Sequence, residues 1–376
     1  MKKQPVDLNE KTILVTGSPG FIGANLVLRL LSEMKGGRVI SLDNLCPYYD
    51  VGLKEYRLKL IEKAAASASA EHLFIRGDIA DEGLVREVFD AWRPAVVVNL
   101  AAQAGVRYSI DHPEDYIHSN LIGFFRILEA CRHSTDGGRE GVEHLVYASS
   151  SSVYGGNRKV PFSTEDPVDH PVSLYAATKK SNELLAHSYS KLYNIPSTGL
   201  RFFTVISRAS RPDMALMGFA NQLVHGKKIR IFNYGDMKRD FTDVDDIVEG
   251  VVRVMKGAPI REKGPDGLPV PPFAVYNIGG GKPENLLEFV RILQEELVRA
   301  KVLPPDYDFE AHRELVGMQP GDVPVTFADS AALERDYGFV PTIPLRETIR
   351  KYCEWHYEYY GPAKPEDLRG AEVHAL

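Results

Sequence analysis

The sequence has few cysteines and no long apolar run. Its three cysteines are far apart and form no CxxC pair, so the pattern predicts neither a disulfide framework nor a zinc site: Cys46, Cys131 and Cys353. Nowhere do 18 apolar residues follow one another, and no apolar segment precedes the first predicted strand, so neither a membrane helix nor a signal peptide is expected. We therefore predict a cytoplasmic protein of a reducing compartment, with no metal site.

Excess positive charge is also lacking. The 376 residues include 45 lysines and arginines against 51 acidic residues, a net charge of -6, which gives no basic field for nucleic acid or anionic lipid. We therefore expect no nucleic-acid or membrane partner, and any bound phosphate must be held locally. With 44% hydrophobic and 26% charged residues, the composition is that of one large or two modest globular domains.

Short apolar segments rich in β-branched residues alternate with helical segments in the first half of the chain. Their hydrophobicity is continuous rather than alternating, which is typical of buried parallel strands. Strand and helix repeated in this way predict an α/β fold, a Rossmann-like doubly wound parallel sheet. The predicted strands are 12–17, 38–43, 73–78, 95–101, 144–150 and 197–203.

The alternation becomes less regular after residue 204, which predicts a smaller C-terminal α/β substrate-binding region. The glycine- and proline-rich segment 257–272 is predicted to be an exposed insertion. We therefore predict a dinucleotide-binding domain over 1–204, to which 238–258 returns. The substrate-binding region is predicted over 205–237 and 273–360, and a tail over 361–376.

The first predicted strand runs into a GxxGxxG pattern formed by Gly17, Gly20 and Gly23. In a strand–turn–helix unit, the first glycine permits the tight turn, the second lets the backbone approach a pyrophosphate, and the third allows the helix to pack closely on the strand. The free N–H groups at the helix start favour phosphate. A glycine triplet alone is also compatible with a simple tight turn.

Acidic residues at the ends of the next two strands favour a dinucleotide. Asp43 ends the second strand, where a carboxylate can accept hydrogen bonds from both ribose hydroxyls of NAD. No arginine stands at or just after Asp43 to pair with a 2'-phosphate, so NAD is favoured over NADP. Asp78 and Ile79 close the third strand and are expected to flank the adenine. Alternatively, Asp78 caps the helix that starts near Glu82.

A tyrosine and a lysine one helical turn apart, Tyr175 and Lys179, form a YxxxK pair. A free tyrosine has a pKa of about 10 and needs a neighbouring positive charge to act as a base at neutral pH. Ser150, Ser151 and Ser152 follow the fifth strand at the carboxyl end of the sheet, where open α/β folds bind ligands. Their hydroxyls suit a sugar hydroxyl or its ketone. Taken singly, the YxxxK pair is also compatible with an exposed helix, and the three serines with an ordinary serine-rich turn.

Together, GxxGxxG, Asp43, "DI" at 78, "NLAAQ" at 99, "SSSSVYG" and "YAATK" resemble the extended short-chain dehydrogenase/reductase superfamily, and within it the nucleotide-sugar 4-epimerases. The resemblance spans about residues 11 to 350. It implies that Tyr175 takes the proton from the sugar 4-hydroxyl, that Lys179 is its electrostatic partner and that Ser150 holds the 4-oxygen. In the family C4 gives hydride to tightly bound NAD, and the 4-ketose turns over and takes it back on its other face.

The resemblance also implies further ligand contacts. Phe203 would line the nicotinamide pocket, Arg239 would bind the UDP phosphates and Asp322 the uridine ribose. The complete implied cofactor set is Gly17, Gly20, Phe21, Ile22, Gly23, Asp43, Asn44, Asp78, Ile79, Leu100, Ala101, Ala102, Gln103, Asn120, Tyr175, Lys179 and Phe203. The implied substrate set is Ser150, Ser151, Ser152, Thr204, Arg211, Phe232, Arg239 and Asp322.

Local motifs resemble the UDP-glucuronate 4-epimerase group more closely than the UDP-glucose enzymes: "RFFTV", "RPDMA", "DHPVSLYAATKK" and "MQPGDVPVTFAD". In that group the arginine of "RPDMA", here Arg211, reaches the C6 carboxylate, a contact suited to a guanidinium. Ser151 and Ser152 stand where related dehydratases and decarboxylases carry acids, which favours simple epimerisation. The alternatives are a UDP-glucose or UDP-N-acetylhexosamine 4-epimerase, and a non-catalytic NAD-binding relative.

One loop departs from the family pattern. Where the family usually reads "TVYGPWGRPDMA", this chain reads "TVISRASRPDMA", so residues 206–210 lack the glycines, the proline and the aromatic residues of the usual turn. The placement of Arg211 therefore depends on what holds this loop. The family also implies a homodimer that pairs through helices 113–133 and 175–194.

Overall fold

The computed structural model describes residues 2–318 and 324–369. The strands are β1 (Lys3–Pro5), β2 (Thr12–Thr16), β3 (Arg38–Asp43), β4 (Glu71–Arg76), β5 (Val96–Asn99), β6 (His144–Ser150), β7 (Ser197–Phe202), β8 (Thr204–Ile206), β9 (Ile229–Ile231), β10 (Lys238–Asp243), β11 (Gly257–Pro259), β12 (Glu262–Lys263), β13 (Pro269–Val270), β14 (Phe273–Ile278), β15 (Pro283–Asn285) and β16 (Arg313–Leu315). The helices are α1 (Phe21–Glu33), α2 (Val51–Ala65), α3 (Glu82–Trp92), α4 (Tyr108–Asp111), α5 (Pro113–Tyr116), α6 (Phe124–His133), α7 (Leu174–Tyr193), α8 (Ala215–Val224), α9 (Val244–Met255), α10 (Leu286–Arg299), α11 (Ala331–Tyr337) and α12 (Leu345–Tyr360).

The chain divides into two compact units. The first contains the described residues up to Phe202 together with Ile247–Ile278 and Asp329–Val340. The second contains Phe203–Asp246 and the described residues of Gly279–Ala328 and Pro341–Leu376. Each unit is built from several separate segments of the sequence.

The first unit contains a parallel sheet with the strand order β14-β7-β6-β5-β2-β3-β4. The order reverses between β2 and β5, because the chain first builds outward through β3 and β4 and then returns to build the other side. In open α/β sheets, ligands bind at the carboxyl ends of the strands beside this reversal. The predicted Rossmann-like α/β fold is confirmed.

The central strands are buried on both faces. Val96, Val97 and Val98 follow one another in β5 and all are inaccessible to solvent, as are Ile13 and Leu14 of β2. Continuous burial requires apolar side chains at every position, which explains why these strands show no alternation in the sequence. The sheet therefore presents polar groups chiefly where its strands end.

Helix boundaries follow local capping chemistry. The side chain of Asp81 accepts a hydrogen bond from the Leu84 N–H at the start of α3, and Ser173 accepts one from Ala176 at the start of α7. Helix α7 ends at Asn194, whose backbone is left-handed, a conformation that asparagine tolerates. Caps at both ends fix the length and register of α7.

Three segments differ from the sequence-based domain boundaries. Residues 273–278 were assigned to the second region, but they form β14, an edge strand of the first unit's sheet. Residues 257–259 were assigned to an exposed insertion, but they pair antiparallel with β1. Residues 238–246 were expected to return to the first domain, whereas they lie in the second unit, where β10 pairs with β8 and β15. Strand pairing between distant segments leaves no local signal, so periodicity alone misplaced them.

The second unit has short strands. β10 pairs in parallel with β8 and antiparallel with β15, and β16 pairs in parallel with β9. β9 is short, because the chain then turns into a 3-10 segment, Phe232–Gly235, in which Asn233 and Tyr234 have left-handed backbones. None of the described helices in either unit combines the length and apolarity that crossing a membrane requires.

Candidate active site

The glycine turn after β2 is too tightly packed for side chains. Gly17 has φ +70°, and a Cβ on it would lie 2.7 Å from the backbone nitrogen of Ala101. A Cβ on Gly20 would lie 2.8 Å from the carbonyl oxygen of Gly17, and one on Gly23 would overlap that same oxygen. The three glycines therefore let helix α1 start directly against the turn and leave an open cradle of backbone.

The start of α1 and its surroundings fit a dinucleotide. Gly20 is the N-cap, no side chain caps the helix, and no acidic residue lies in its first turn, so its N–H groups are available to an anion. Ser18 Oγ and Gln103 Nε2 are buried and have no hydrogen-bond partner among the described residues. Buried polar atoms normally have partners. A phosphate or an amide group would supply them here.

Asp43 lies at the end of β3, as predicted for a ribose-binding acid. Its Oδ1 accepts a hydrogen bond from the Leu45 N–H (2.6 Å) and lies 3.6 Å from Nζ of Lys54. Burial raises the pKa of the Asp43 carboxyl above its usual value, and the Lys54 ammonium offsets part of that shift. The acid is thus held in place by a helix that the sequence analysis did not connect with the cofactor.

The predicted adenine-flanking residues occupy the end of β4. Asn44 Nδ2 donates to Asp78 Oδ2 (2.9 Å), while Asp78 Oδ1 accepts from the Ala80 N–H (2.8 Å). The alternative role of Asp78 as cap of α3 is wrong, because Asp81 is the cap. Ile79 is buried, and a Cβ on Gly123 would lie 2.6 Å from its side chain. Asn44 and Asp78 are therefore linked to each other beside the strand ends.

A π-helical turn, Ile117–Gly123, holds Asn120 at the end of β5. Asn120 Oδ1 accepts from the Gln103 N–H (2.8 Å), and its Nδ2 donates to the Gln103 carbonyl (3.0 Å) and to Thr178 Oγ1 (3.0 Å). The Asn120 carbonyl in turn accepts from Asn182 Nδ2 (2.7 Å). π-Turns recur at functional sites. This one ties the loop after β5 to helix α7, which carries Tyr175 and Lys179.

Tyr175 and Lys179 lie one turn apart on α7. The Lys179 ammonium lies 6.0 Å from the centroid of the Tyr175 ring and donates to the carbonyl of Ala148 on β6 (3.0 Å). Lys179 is only 4% exposed, so its charge is poorly screened by water. The ammonium of Lys179 is thus held between the end of β6 and the ring of Tyr175.

The serines follow β6 in a 3-10 turn, Ser151–Tyr154. Ser150 Oγ accepts from the Ser152 N–H (3.1 Å). The residue before it, Ser149, donates to Glu183 of α7 (2.7 Å). Because Ala148 and Ser149 both bond to α7, the end of β6 is fixed against the helix that carries the tyrosine and lysine. The structure thus brings Ser150, Tyr175 and Lys179 to one edge of the first unit's sheet.

A buried ion pair lies behind these residues. Glu183 and Arg201 form two parallel hydrogen bonds of 2.8 Å, and Arg201 also donates to the hydroxyl of Tyr154 (3.0 Å). Burial opposes the charge on Glu183, but Arg201 and Ser149 outweigh it, so the pKa of Glu183 lies below its usual value. The pair links α7 to β7.

Sequence reasoning missed several supporting residues in the first unit. The hydroxyl of Tyr116 donates to the carbonyls of Ala104 (2.8 Å) and Gly105 (2.6 Å), and its ring meets the ring of Tyr175 edge-on, with centroids 6.0 Å apart. Arg57 is buried and donates to the carbonyl of Pro19 inside the glycine turn (3.1 Å). No local pattern marks Tyr116.

The sequence of α2 contains a weak signal that its charged residues have buried partners. Lys54 and Arg57 lie three residues apart, on the face that also carries Leu53 and Ile61, and all four are buried. Charged residues that share the apolar face of a helix are rarely buried without partners. That pattern indicates buried partners elsewhere in the fold, which the structure identifies as the carbonyl of Pro19 in the glycine turn for Arg57 and the carboxylate of Asp43 for Lys54.

The remaining substrate candidates among the described residues lie in the second unit, as does Phe203, which is buried. Thr204 begins β8 and pairs with Phe241 of β10. Arg239, on β10, donates to the carbonyls of Lys238 (3.0 Å) and Pro324 (3.2 Å). Phe232 follows β9, beside the Arg230 guanidinium. Asp322 lies outside the described residues.

Arg211 follows the loop that departs from the family pattern. Its Nη2 donates to Asp213 Oδ2 (3.1 Å) and contacts the sulfur of Met214 (3.5 Å). The loop itself is held by an ion pair between Arg208 and Asp245. The guanidinium predicted to bind a sugar carboxylate is thus paired with a carboxylate of its own segment.

Comparison with known proteins gives consistent matches. A sequence profile of the NAD dependent epimerase/dehydratase family matches residues 13–279. The chain is 47% identical over 354 residues to Protein CapI of Staphylococcus aureus, covering 93% of this chain and 99% of that protein. It is 39% identical over 354 residues to the Probable UDP-glucuronate 4-epimerase of Rhizobium meliloti (strain 1021), covering 92% and 97%.

Solved structures agree with the sequence matches. The UDP-glucuronic acid 4-epimerase from Bacillus cereus, in complex with UDP-glucuronic acid and NAD, superposes with a TM-score of 0.76 at 29% identity. The match covers 93% of this chain and all of that one. The fold of the chain is therefore similar to that of this solved structure over nearly its whole length.

Proposed function

Because the chain belongs to the NAD dependent epimerase/dehydratase family, we propose that it is an NAD-dependent isomerase that converts UDP-glucuronate to UDP-galacturonate through a 4-keto intermediate. The observation that carries this proposal is the placement of Ser150, Tyr175 and Lys179 at the sheet edge into which the glycine turn also opens. Relatives that match nearly the whole chain are named for this activity.

Each member of the triplet has a chemical task that follows from its surroundings. Tyr175 accepts the proton of the sugar 4-hydroxyl, and the buried Lys179 ammonium makes its phenolate accessible near neutral pH. Ser150 Oγ accepts the Ser152 N–H, and its own hydroxyl hydrogen can still be donated to the 4-oxygen. NAD, when bound, supplies the site to which hydride leaves and from which it returns.

The cofactor is expected to be held by the first unit. The N–H groups at the start of α1 suit its pyrophosphate, Asp43 its ribose, and the orphaned Ser18 and Gln103 side chains its remaining polar atoms. Because the cofactor is regenerated in each cycle, it stays bound.

Residues of the second unit are proposed to recognise the rest of the substrate. Arg211 would hold the C6 carboxylate, Arg239 the diphosphate, Thr204 the sugar or diphosphate, Phe232 the uracil and Asp322 the uridine ribose. A guanidinium matches a carboxylate or phosphate in charge and geometry.

Arg211 has a second proposed task. The 4-keto form of a uronic acid is a β-keto acid, which loses CO2 when the C5–carboxylate bond stands perpendicular to the ketone plane. We propose that Arg211 holds the carboxylate out of that alignment, and that Ser152, in place of an acid, removes another route to decarboxylation. Arg211→Ala should therefore release UDP-pentose as well as weaken binding. No by-product and unchanged affinity would contradict this role.

We also propose a cytoplasmic homodimer. Exposed apolar side chains lie on the segments that the family uses for pairing: Ile117, Ile122 and Phe125 in the π-turn and α6, and Leu184 and Leu192 on α7. Covering such side chains is the usual reason for helices to associate. Light scattering of the purified protein measures the oligomeric state.

The direct test is to incubate the purified protein with UDP-glucuronate and to separate the products. UDP-galacturonate is the expected product. UDP-glucose and UDP-N-acetylglucosamine are tested in parallel reactions. If one of them is epimerised and the uronate is not, that sugar nucleotide is the substrate instead. Bound NAD without turnover of any of these sugars would identify a non-catalytic relative.

A further inference from the structure

The loop that departs from the family pattern has its own anchor. The Arg208 guanidinium makes two hydrogen bonds to the carboxylate of Asp245, Nη1 to Oδ2 (2.9 Å) and Nη2 to Oδ1 (2.8 Å). Lys351, from α12, places its ammonium 3.0 Å from the same carboxylate. Paired, parallel hydrogen bonds of this type fix orientation as well as distance.

The anchor is charged at all working pH values. Burial opposes ionisation of Asp245, but Arg208 and Lys351 outweigh it and lower its pKa to about 2. Its neighbour Asp243 accepts a hydrogen bond from Ser207 Oγ (3.2 Å), the residue before Arg208. Two successive loop residues are therefore held by acids at the junction of β10 and α9.

The chain between Arg208 and Arg211 transmits this restraint. It consists of Ala209 and Ser210, both buried. Ala209 has φ +49°, a left-handed conformation that costs free energy in alanine and persists only where the surroundings impose it. A displacement of Arg208 therefore cannot be absorbed by a flexible linker before it reaches Arg211.

We propose that Arg208 is a positioning residue that sets the guanidinium of Arg211 through the Asp245 anchor, in place of the glycine- and proline-based turn of the family. The inference rests on the proposed role of Arg211 as the carboxylate-binding residue. It predicts that loss of the anchor weakens binding of the uronate and leaves binding of the bare nucleotide unchanged.

Two single substitutions separate positioning from simple charge attraction. Arg208→Ala removes a positive charge and Asp245→Asn removes a negative one, but both break the anchor. Positioning predicts that each raises KM for UDP-glucuronate by about three- to tenfold, with a smaller effect on kcat. Charge attraction predicts opposite changes in KM, since Asp245→Asn makes the surroundings more positive.

Lys351→Ala is the matched control. The substitution changes the net charge as Arg208→Ala does, and it removes an ammonium group beside the same Asp245 carboxylate. It leaves the two hydrogen bonds between Arg208 and Asp245 in place. We expect its KM to stay within about twofold of the wild-type value. Arg208→Lys keeps the charge without the fork geometry and should fall between wild type and Arg208→Ala.

Affinity for UDP, measured by calorimetry, should be the same in all four variants, and so should the content of bound NAD and the unfolding midpoint within a few degrees. Equal KM values in wild type and Arg208→Ala, or a lower KM in Asp245→Asn, would overturn the positioning role. Absence of UDP-glucuronate turnover in the wild type would instead refute the proposed function, so the two failures are distinguishable.

Discussion

The two units hold their polar residues by different means. In the first unit, the groups around the proposed catalytic residues Ser150, Tyr175 and Lys179 bond to buried backbone or to each other, as Lys179 does to Ala148 and Asn120 to Gln103. In the second unit, the arginines at the altered loop are held by partly exposed ion pairs, Arg211 with Asp213 and Arg208 with Asp245. Buried hydrogen bonds are strong and directional, whereas exposed ion pairs are weakened by water and salt.

This difference separates two tasks. Transfer of a proton at C4 requires atoms held to a fraction of an ångström, which a buried network provides. Recognition of a substituent requires an oriented charged group, which a loop held by ion pairs can provide. The first arrangement tolerates few changes, while the second can be rebuilt with new residues, as in the proposed use of an arginine anchor where the family pattern has a glycine–proline turn.

The largest expected effect comes from removing the catalytic hydroxyl. Tyr175→Phe keeps the ring that packs on Tyr116 but loses the proton acceptor, so kcat should fall by about 10²- to 10⁴-fold. Epimerisation of UDP-glucuronate measures it. Tyr189→Phe is the control, because this tyrosine lies on the same helix and bonds only to Glu129 among the contacts described (2.6 Å); its kcat should not change. Equal activity of the two variants would mean that Tyr175 is not the base.

Stability measurements sharpen the comparison between the units. The Glu183–Arg201 pair is 3% and 4% exposed, against 37% and 40% for Asp245–Arg208. Arg201→Ala removes the guanidinium that makes both paired hydrogen bonds to the buried Glu183 carboxylate, which keeps only Ser149 and Lys180 as partners among the described residues, and should lower the free energy of unfolding by about 3–5 kcal/mol. Arg208→Ala should lower it by about 1 kcal/mol or less.

Urea unfolding gives both values. Ser149→Ala, which removes one donor to Glu183, provides a milder variant with an expected loss of about 1 kcal/mol should Arg201→Ala not fold. Similar losses for Arg201→Ala and Arg208→Ala would erase the distinction between the two kinds of ion pair.

Asp240 is one of the buried acids of the second unit, and its side chain is fully inaccessible to solvent. Its Oδ2 accepts from the N–H groups of Ala328 (2.9 Å) and Gly281 (3.1 Å), and its Oδ1 has no partner among the described residues. Burial raises its pKa to about 6, although these backbone groups oppose the shift. The folded protein thus retains this proton at a pH where the unfolded chain has lost it.

The raised pKa of Asp240 makes the free energy of unfolding depend on pH. Between about pH 4 and pH 6 the folded state binds more protons than the unfolded state, so this group lowers the free energy of unfolding as pH rises, by about 2–3 kcal/mol in total. Asp240→Asn removes that dependence. The difference in unfolding free energy between variant and wild type should therefore shift in favour of the variant from about pH 4 to about pH 8. A difference independent of pH would contradict the raised pKa.

The smallest expected effect concerns backbone strain at Ala209. Glycine adopts φ +49° without the steric cost that alanine meets, but it gains more freedom on unfolding. Ala209→Gly should therefore change the free energy of unfolding by less than about 1 kcal/mol, in the stabilising direction. Differential scanning calorimetry measures it. Strong destabilisation would show that packing of the Ala209 methyl group contributes more free energy than the left-handed backbone conformation costs.

The first unit was largely predictable from sequence. Continuous apolar strands, the glycine triplet and the helical spacing of the YxxxK pair act locally, so periodicity and turn chemistry sufficed to place Gly17, Asp43 and Tyr175 on the correct elements. The second unit was less predictable, because its segments are short and pair over long sequence distances. Long-range pairing also misled the prediction in the first unit, where the edge strand β14 pairs with β7 although the sequence pattern places it in the second region.

The supporting contacts were the least predictable part of the site. Arg208 and Asp245 are separated by 36 residues, and no periodicity relates a loop arginine to an acid at the start of a helix. Asn182 could not be connected with Asn120, because the π-turn that turns the Asn120 carbonyl toward it has no sequence signature. Such pairings depend on tertiary geometry rather than on local preference.

The contact between Asp43 and Lys54 bears on how a protein like this could evolve toward a phosphorylated cofactor. The Lys54 ammonium lies beside Asp43, the proposed ribose-binding acid, and the two charges offset each other. The cationic half of a 2'-phosphate site would thus already be present but paired with this carboxylate. Evolution toward the other dinucleotide would start from the loss of an acid rather than the gain of a base.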